Sequence, residues 1–294
     1  MPTLALGTVQ FGLDYGLTNT GGQIADREAA RILQTAHDNG IVWLDTAAAY
    51  GNAEERLGSL LRDDKHFKLC SKTLPTPAGQ SVLTAAQRSL DTSLTRLRRD
   101  HVDALLIHSA ADLLGEEGKA LWAWMNAVRT QGMAASIGIS VYDADEIDLV
   151  LKRCQPDWIQ LPCSVFDQRL LTSGHLVRLA SQGIKLQARS LLLQGVVNLS
   201  PQELPEPLQA LHGPLTRLRQ QAKLRNMSSV DMAIAWAVAQ QEINLAVLGV
   251  TTAAELRQCA EAFGRTVVAD WSEFACDDAV VVDPRKWPPR MKPT

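Results

Sequence analysis

Four residues sit where an apolar run would not choose them for packing. Asp45 closes the run VWLD, and Tyr50 follows it in TAAAYG. Lys72 closes FKLCSK, and His108 closes VDALLIH. An unperturbed tyrosine, with a pKa of about 10, transfers protons poorly near neutrality. A lysine cation beside it favours the phenolate and lowers that value. Asp45 paired with Lys72 would hold the ammonium in place and charged. His108 can donate a hydrogen bond to a carbonyl oxygen near Tyr50. A proton donor beside an oxyanion site suits conversion of a carbonyl to an alkoxide and then an alcohol. No side chain supplies a hydride, so the same chemistry implies a nicotinamide cofactor. Each residue also has an ordinary role open to it. Asp45 could cap a turn, Lys72 could face solvent, His108 could be a core histidine and Tyr50 a packing tyrosine. The chemical reading rests on all four landing at the same end of consecutive strands.

Short apolar runs alternate with amphipathic stretches along nearly the whole chain. The runs are 4–9, 42–47, 67–70, 102–107, 135–139, 158–161, 184–188 and 245–248. Most are apolar on both faces, as strands covered on both sides should be. The stretches between them have helical spacing. In 81–97, for example, Leu83, Ala86, Leu90, Leu94 and Leu97 share one face. Gly40, Gly132 and Gly183 stand where helices stop, and Asp26 and Asp143 where they should be capped. Eight strand–helix units without a break predict a parallel, right-handed (β/α)8 barrel, with reacting groups at the C-terminal strand ends. The expected organisation is one barrel domain over 1–294. It carries an extended loop after the seventh strand, about 191–225, and a tail, about 264–294, that wraps the outside or covers one mouth.

The chain has 294 residues, a net charge of −3 and 46% hydrophobic residues, which excludes a mainly disordered or collagen-like protein. No basic run marks a nucleic-acid surface; Arg96, Arg98 and Arg99 are followed at once by Asp100. The longest apolar stretches are far short of the ~20 residues of a membrane span. The first residues, MPTLALGTVQ, carry no secretory pattern. Five widely spaced cysteines without CxxC favour free thiols, so a cytoplasmic location is expected. The six histidines form no HxH or HExxH pattern, against a metal enzyme. Glycoside hydrolysis needs a second strand-end carboxylate beside Asp45, and Asp167 falls in a loop.

The sequence resembles the aldo-keto reductase family. The residues that carry this are DTAAAYGNAEERLG at 45–58, SKT at 71–73, LLIHS at 105–109 and GIS at 138–140. Further matches are IQLPCSVFDQRL at 159–170, ARSLLLQG at 188–195 and LGVTTAAELRQ at 248–258. The resemblance implies a (β/α)8 barrel that reduces a small carbonyl compound with NAD(P)H. It makes Tyr50 the general acid, Lys72 and Asp45 its tuning pair, and His108 the group that orients the carbonyl. Ser140 and Gln160 match positions that bind the nicotinamide carboxamide. Ser190, Leu191, Leu193, Gln194 and Gly195 lie in the loop that approaches the pyrophosphate. Gly249, Val250, Thr251 and Thr252 match the turn into the last helix, whose N-terminus favours phosphate. Gln258 matches a position near the adenine.

Three departures stand out. Val141 replaces a usual asparagine. Arg189 replaces an aromatic residue that stacks on the nicotinamide. A guanidinium can stack there, turn towards a substrate anion, or face solvent. Gly249 and Glu255 stand where relatives carry lysine and arginine, and an acidic residue there can accept a ribose hydroxyl. The resemblance favours NADP(H) and leaves NAD(H) open.

Two other functions remain: a cofactor-binding regulatory or partner protein with little turnover, and a Schiff-base aldolase using Lys72. The substrate pocket is expected from loops 10–23, 109–118 and 191–207 and from the tail. Tyr15, Trp271 and Trp287 are candidate walls. The polar first loop suits a hydroxylated carbonyl and does not exclude a small aromatic aldehyde. A closed barrel has no sheet edge to pair, so a monomer or weak homo-oligomer is expected.

Overall fold

The computed structural model describes residues 1–62 and 64–288. Each expected apolar run overlaps a strand. These are β1 Thr3–Gly7, β2 Trp43–Asp45, β3 Lys68–Lys72, β4 Ala104–Ile107, β5 Ile137–Ser140, β6 Trp158–Pro162, β7 Lys185–Arg189 and β8 Ile243–Gly249. They form a closed parallel barrel in chain order, with Gly7 of β1 in register with Asp45 on one side and Gly249 on the other.

Strand side chains alternate between the two faces of the barrel wall. Leu4, Leu6, Leu44, Leu69, Leu105, Ile107 and Ile159 belong to the main core under the helices. Ala5, Cys70, Ala104, Leu106, Trp158, Leu245 and Val247 form a separate cluster inside the barrel. Trp43 and Trp158 meet edge-on with ring centroids 5.8 Å apart, and Lys68 and Lys185 lie over their faces near the N-terminal mouth. The same parity carries Asp45, Lys72, Ser140, Gln160, Arg189 and Gly249 to the inner face at the C-terminal strand ends. Both faces of each strand are therefore covered, but the inner face turns polar at this end.

Helices follow the strands: α1 Val9–Gly12, α2 Asp26–Asp38, α3 Ala53–Leu61, α4 Val82–Leu97, α5 Ala110–Leu114, α6 Gly118–Thr130 and α7 Ala144–Leu151. After β6 come α8 Arg169–Thr172 and α9 His175–Ser181, and after β7 α10 His212–Leu224 and α11 Ser229–Ala239. α12 Ala253–Phe263 follows β8, and α13 Ala279–Val282 lies in the tail. Asp143 caps α7 by accepting from the Glu146 N–H. Asp26 does not cap α2: Ala25 holds that place, and Asp26 is the first helical residue, bonded to Arg56 at 2.6 Å. Gly40, Gly132 and Gly183 each take a left-handed backbone, as a helix stop requires.

The segment after β7 is not one loop. Three 3₁₀ turns, Leu193–Asn198, Pro201–Glu203 and Glu206–Leu211, lead into α10. The tail packs on the outside of the barrel, with the Cys276 N–H donating to Phe166 O and Arg217 Nε donating to Glu273 O. Residues 289–294 lie outside the described residues. Among the described residues, no helix is long and apolar enough to cross a membrane.

Candidate active site

The ends of β2, β3 and β4 bring the four chemical residues together. Lys72 Nζ donates to both Asp45 carboxylate oxygens at 2.8 Å and to Thr46 O at 2.9 Å. It also stands 3.4 Å from the Tyr50 hydroxyl and 5.0 Å from the Tyr50 ring centre. The Tyr50 and His108 rings meet edge-on with centroids 6.0 Å apart. Tyr50 reaches this point because the loop after β2 is held tightly. The Ala48 N–H donates to Lys72 O, and the Ala53 N–H to Tyr50 O. Gly12 passes so close that a Cβ there would stand 1.7 Å from Tyr50 O, so no larger residue fits.

Burial dominates the electrostatics. It pushes the Tyr50 phenol above its ordinary value; Lys72 pulls the other way without prevailing. The expectation that lysine would win assumed a more solvated phenol. Burial also disfavours the Lys72 cation, but the Asp45 carboxylate outweighs that, and Lys72 is held above the ordinary lysine range. Burial, with Lys72 and Arg189 nearby, lowers His108 to about 3, so its imidazole is neutral. His108 Nδ1 is buried without a partner among the described residues. A single proton is therefore better placed on Nε2, the nitrogen left to face the cleft.

A cleft of ≈ 980 Å³ opens above this group. Asp45, Tyr50 and His108 line it at one end, while Lys72 lies beneath them, 1% exposed. Ser140, Gln160, Arg189 and Ser190 line the middle. Leu191, Gln194 and Gly195 line one wall, and Gly249, Val250, Thr251, Thr252, Glu255 and Gln258 line the far end. Leu193 does not reach the cleft; with a left-handed backbone it turns into the core. The first loop crosses the cleft mouth, where the Leu17 N–H donates to Gln194 O at 2.8 Å.

Arg189 does not face solvent. It lines the cleft, stacks 4.0 Å over the Tyr142 ring and donates to Val141 O at 3.2 Å. Arg285 covers another approach to that ring, 3.4 Å from its centre. Tyr15 lines the cleft as expected, with its phenol pushed by burial to about 12. Trp271 and Trp287 do not. Trp271 packs on Phe274, and Trp287 Nε1 donates to Val281 O. Residues 109–118 and the described part of the tail contribute no lining residue; from the tail, Arg285 reaches the Tyr142 ring.

The residues present suit a nicotinamide dinucleotide. Gln160 uses its Nε2 twice inside the barrel, towards Asp45 Oδ1 at 2.6 Å and Gln187 Oε1 at 3.0 Å. Its Oε1 is buried without a partner, an acceptor awaiting a donor such as a carboxamide N–H. Four contributors were not singled out from the sequence: Tyr142, Gln187, Gln10 and Glu28. Gln187 carries a signal, a polar residue at inward parity in an apolar strand. The others owe their place to contacts with distant segments.

A family model described as the aldo/keto reductase family matches residues 3–275. L-glyceraldehyde 3-phosphate reductase of Escherichia coli (strain K12) is 27% identical, covering 92% of this chain and 89% of that one. An aldo-keto reductase of Mycolicibacterium smegmatis is 32% identical over 158 residues, so the chain spans about half of that relative, 53%. Two solved structures share the fold. The aldo-keto reductase from Klebsiella pneumoniae in complex with NADPH has a TM-score of 0.70 at 20% identity, covering 100% of this chain and 94% of that one. Aldo-keto reductase AKR11C1 from Bacillus halodurans has a TM-score of 0.73 at 19% identity, covering 92% and 89%. A barrel of this order, with these strand ends and a match over 3–275, belongs to the aldo/keto reductase family of oxidoreductases.

Proposed function

We propose that the protein reduces a small aldehyde or ketone to an alcohol, using a nicotinamide dinucleotide bound in the cleft. The observation that carries this is the buried Asp45–Lys72–Tyr50 chain ending beside a neutral His108. When bound, the reduced nicotinamide supplies the hydride. His108 Nε2–H and the Tyr50 hydroxyl converge on the substrate oxygen and stabilise charge as it develops there. Tyr50 then gives its proton to that oxygen. Lys72, 3.4 Å away, stabilises the phenolate left behind, and Asp45 keeps the ammonium charged and in place. Gln160 Oε1 and Ser140 orient the carboxamide. Arg189 lies along the ring's site or meets an anionic group on the substrate.

The aldolase reading fits less well. A Schiff base needs an unprotonated amine. Lys72 is held as a cation by two contacts to Asp45 and one to Thr46. The regulatory reading differs only in turnover. The test is loss of reduced-nicotinamide absorbance with a panel of small hydroxylated and aromatic aldehydes. Substrate-dependent loss is expected. Dinucleotide binding without turnover of any aldehyde would favour the regulatory reading.

A further inference from the structure

The end of the cleft farthest from Tyr50 is the first turn of α12. A helix N-terminus ordinarily offers free N–H groups and attracts anions. Here those groups are taken by carboxylates. Glu255 Oε2 accepts from the Thr251 N–H at 2.7 Å and the Thr252 N–H at 3.3 Å. The Thr251 hydroxyl also points at Glu255, 2.9 Å from Oε2. Glu28 Oε1, arriving from α2, accepts from the Ala253 N–H at 2.8 Å, which holds its carboxyl below the usual range. Three consecutive N–H donors of this turn are therefore closed to a phosphate.

A second observation points to the kind of ligand that remains. Gln10 is 9% exposed, lines the cleft, and its Oε1 is buried without a partner among the described residues. It lies over Gly249, where a Cβ would stand 2.6 Å from that oxygen. The Gln10 side chain thus fills the place a longer residue at 249 would need. Among the described residues, Arg189 is the one arginine or lysine lining the cleft, and it sits in the middle, away from α12. Arg31 bonds Glu28 at 3.3 Å on an exposed face and Arg27 lies near it, but neither arginine lines the cleft. The charged groups that line this end of the cleft are thus the carboxylates of Glu28 and Glu255. A ribose 2′-hydroxyl can donate to such a surface. A 2′-phosphate dianion meets two carboxylates there, and three of the turn's N–H donors are already taken.

We propose that the protein selects NAD(H) over NADP(H), with Glu255 and Glu28 excluding the 2′-phosphate and Glu255 accepting from the ribose diol. The proposal rests on the reading of this cleft as a dinucleotide site with its nicotinamide at Tyr50. The selectivity is opposite to the one the family resemblance favours.

Isothermal titration calorimetry of the full chain with NADH and NADPH tests it directly, without turnover. The wild-type protein should bind NADH at least about tenfold more tightly than NADPH. Glu255→Gln should tighten NADPH by about tenfold and weaken NADH. Glu28→Gln together with Glu255→Gln should narrow the difference further. Equal or tighter NADPH binding by the wild type overturns the selectivity and leaves the dinucleotide reading standing. So does a Glu255→Gln protein that gains nothing for NADPH. If neither dinucleotide binds, the reading of the cleft itself falls, and the selectivity with it. The wild-type comparison needs no variant to fold.

Discussion

Lys72 Nζ stands 3.4 Å from the Tyr50 hydroxyl, its longest polar contact, while Asp45 holds it at 2.8 Å. The ammonium is anchored to the carboxylate and only leans on the phenol. That asymmetry suits a donor. The buried phenol stays protonated at neutral pH and yields its proton when a better-stabilised product state, phenolate beside ammonium, becomes available.

Tyr50→Phe removes the proton and keeps the ring. The aromatic packing against His108 survives, so dinucleotide affinity should change by less than about threefold. The reduction rate should fall by at least about 10²-fold, the scale of a lost general acid. Stopped-flow measurement of a single turnover separates the two effects. A near-wild-type rate would remove Tyr50 from the mechanism.

Lys72→Met tests the anchor. Lys72 and Asp45 are both buried, so removing one partner leaves a charge uncompensated. Such a loss costs about 3–5 kcal/mol of stability. Adding Asp45→Asn should recover most of it, because Gln160 still has an amide oxygen to bond. Activity should stay at least about tenfold down in both proteins, since the phenolate has lost its cation. Urea unfolding of the two variants decides it; a single variant as stable as wild type sinks the buried-pair account.

Much of this site is legible in the sequence. Asp45, Lys72 and His108 each close an apolar run, which marks one rim; that Arg189 turns into the cleft beside them emerges only in the fold. What resisted reading depends on burial and on partners remote in sequence. The direction of the Tyr50 shift is set by how little water reaches it, which spacing does not encode. Glu255 was visible as an acidic substitution. Its grip on two N–H groups, and the arrival of Glu28 from α2, follow from the register of β1 with β8. Trp271 and Trp287 are large aromatics whose outward packing is decided by where the tail runs.

The pH profile of reduction should be nearly level from about pH 5 to 9. His108 is already neutral there, because its pKa is lowered to about 3. Tyr50, raised above the ordinary value of 10.0, keeps its proton until more alkaline pH, where the rate should fall. The same shift of His108 affects folding. The unfolded imidazole binds a proton that the folded one refuses, so this stability is present above 6.5 and is lost as pH falls towards about 3. A step in kcat/KM between pH 6 and 7 that disappears in His108→Gln would contradict the neutral imidazole.

Glu54 offers a check on the wall of the barrel, away from the cleft. Its carboxyl is 1% exposed between β3 and α4, where the hydroxyls of Ser71 and Ser93 donate to it at 2.6 and 3.1 Å. Burial raises its pKa above the ordinary value of 4.5, and the two serines only partly oppose that. The folded state therefore holds a proton that the unfolded state releases first. Stability must then fall as pH rises from 4.5 towards the folded value. Glu54→Gln removes the titration and keeps an oxygen for one serine. Chemical denaturation should find the variant level with wild type, or slightly weaker, near pH 4 and gaining on it as pH rises to 7. A gap between the two proteins that stays constant over that range would mean that folding does not shift the Glu54 pKa.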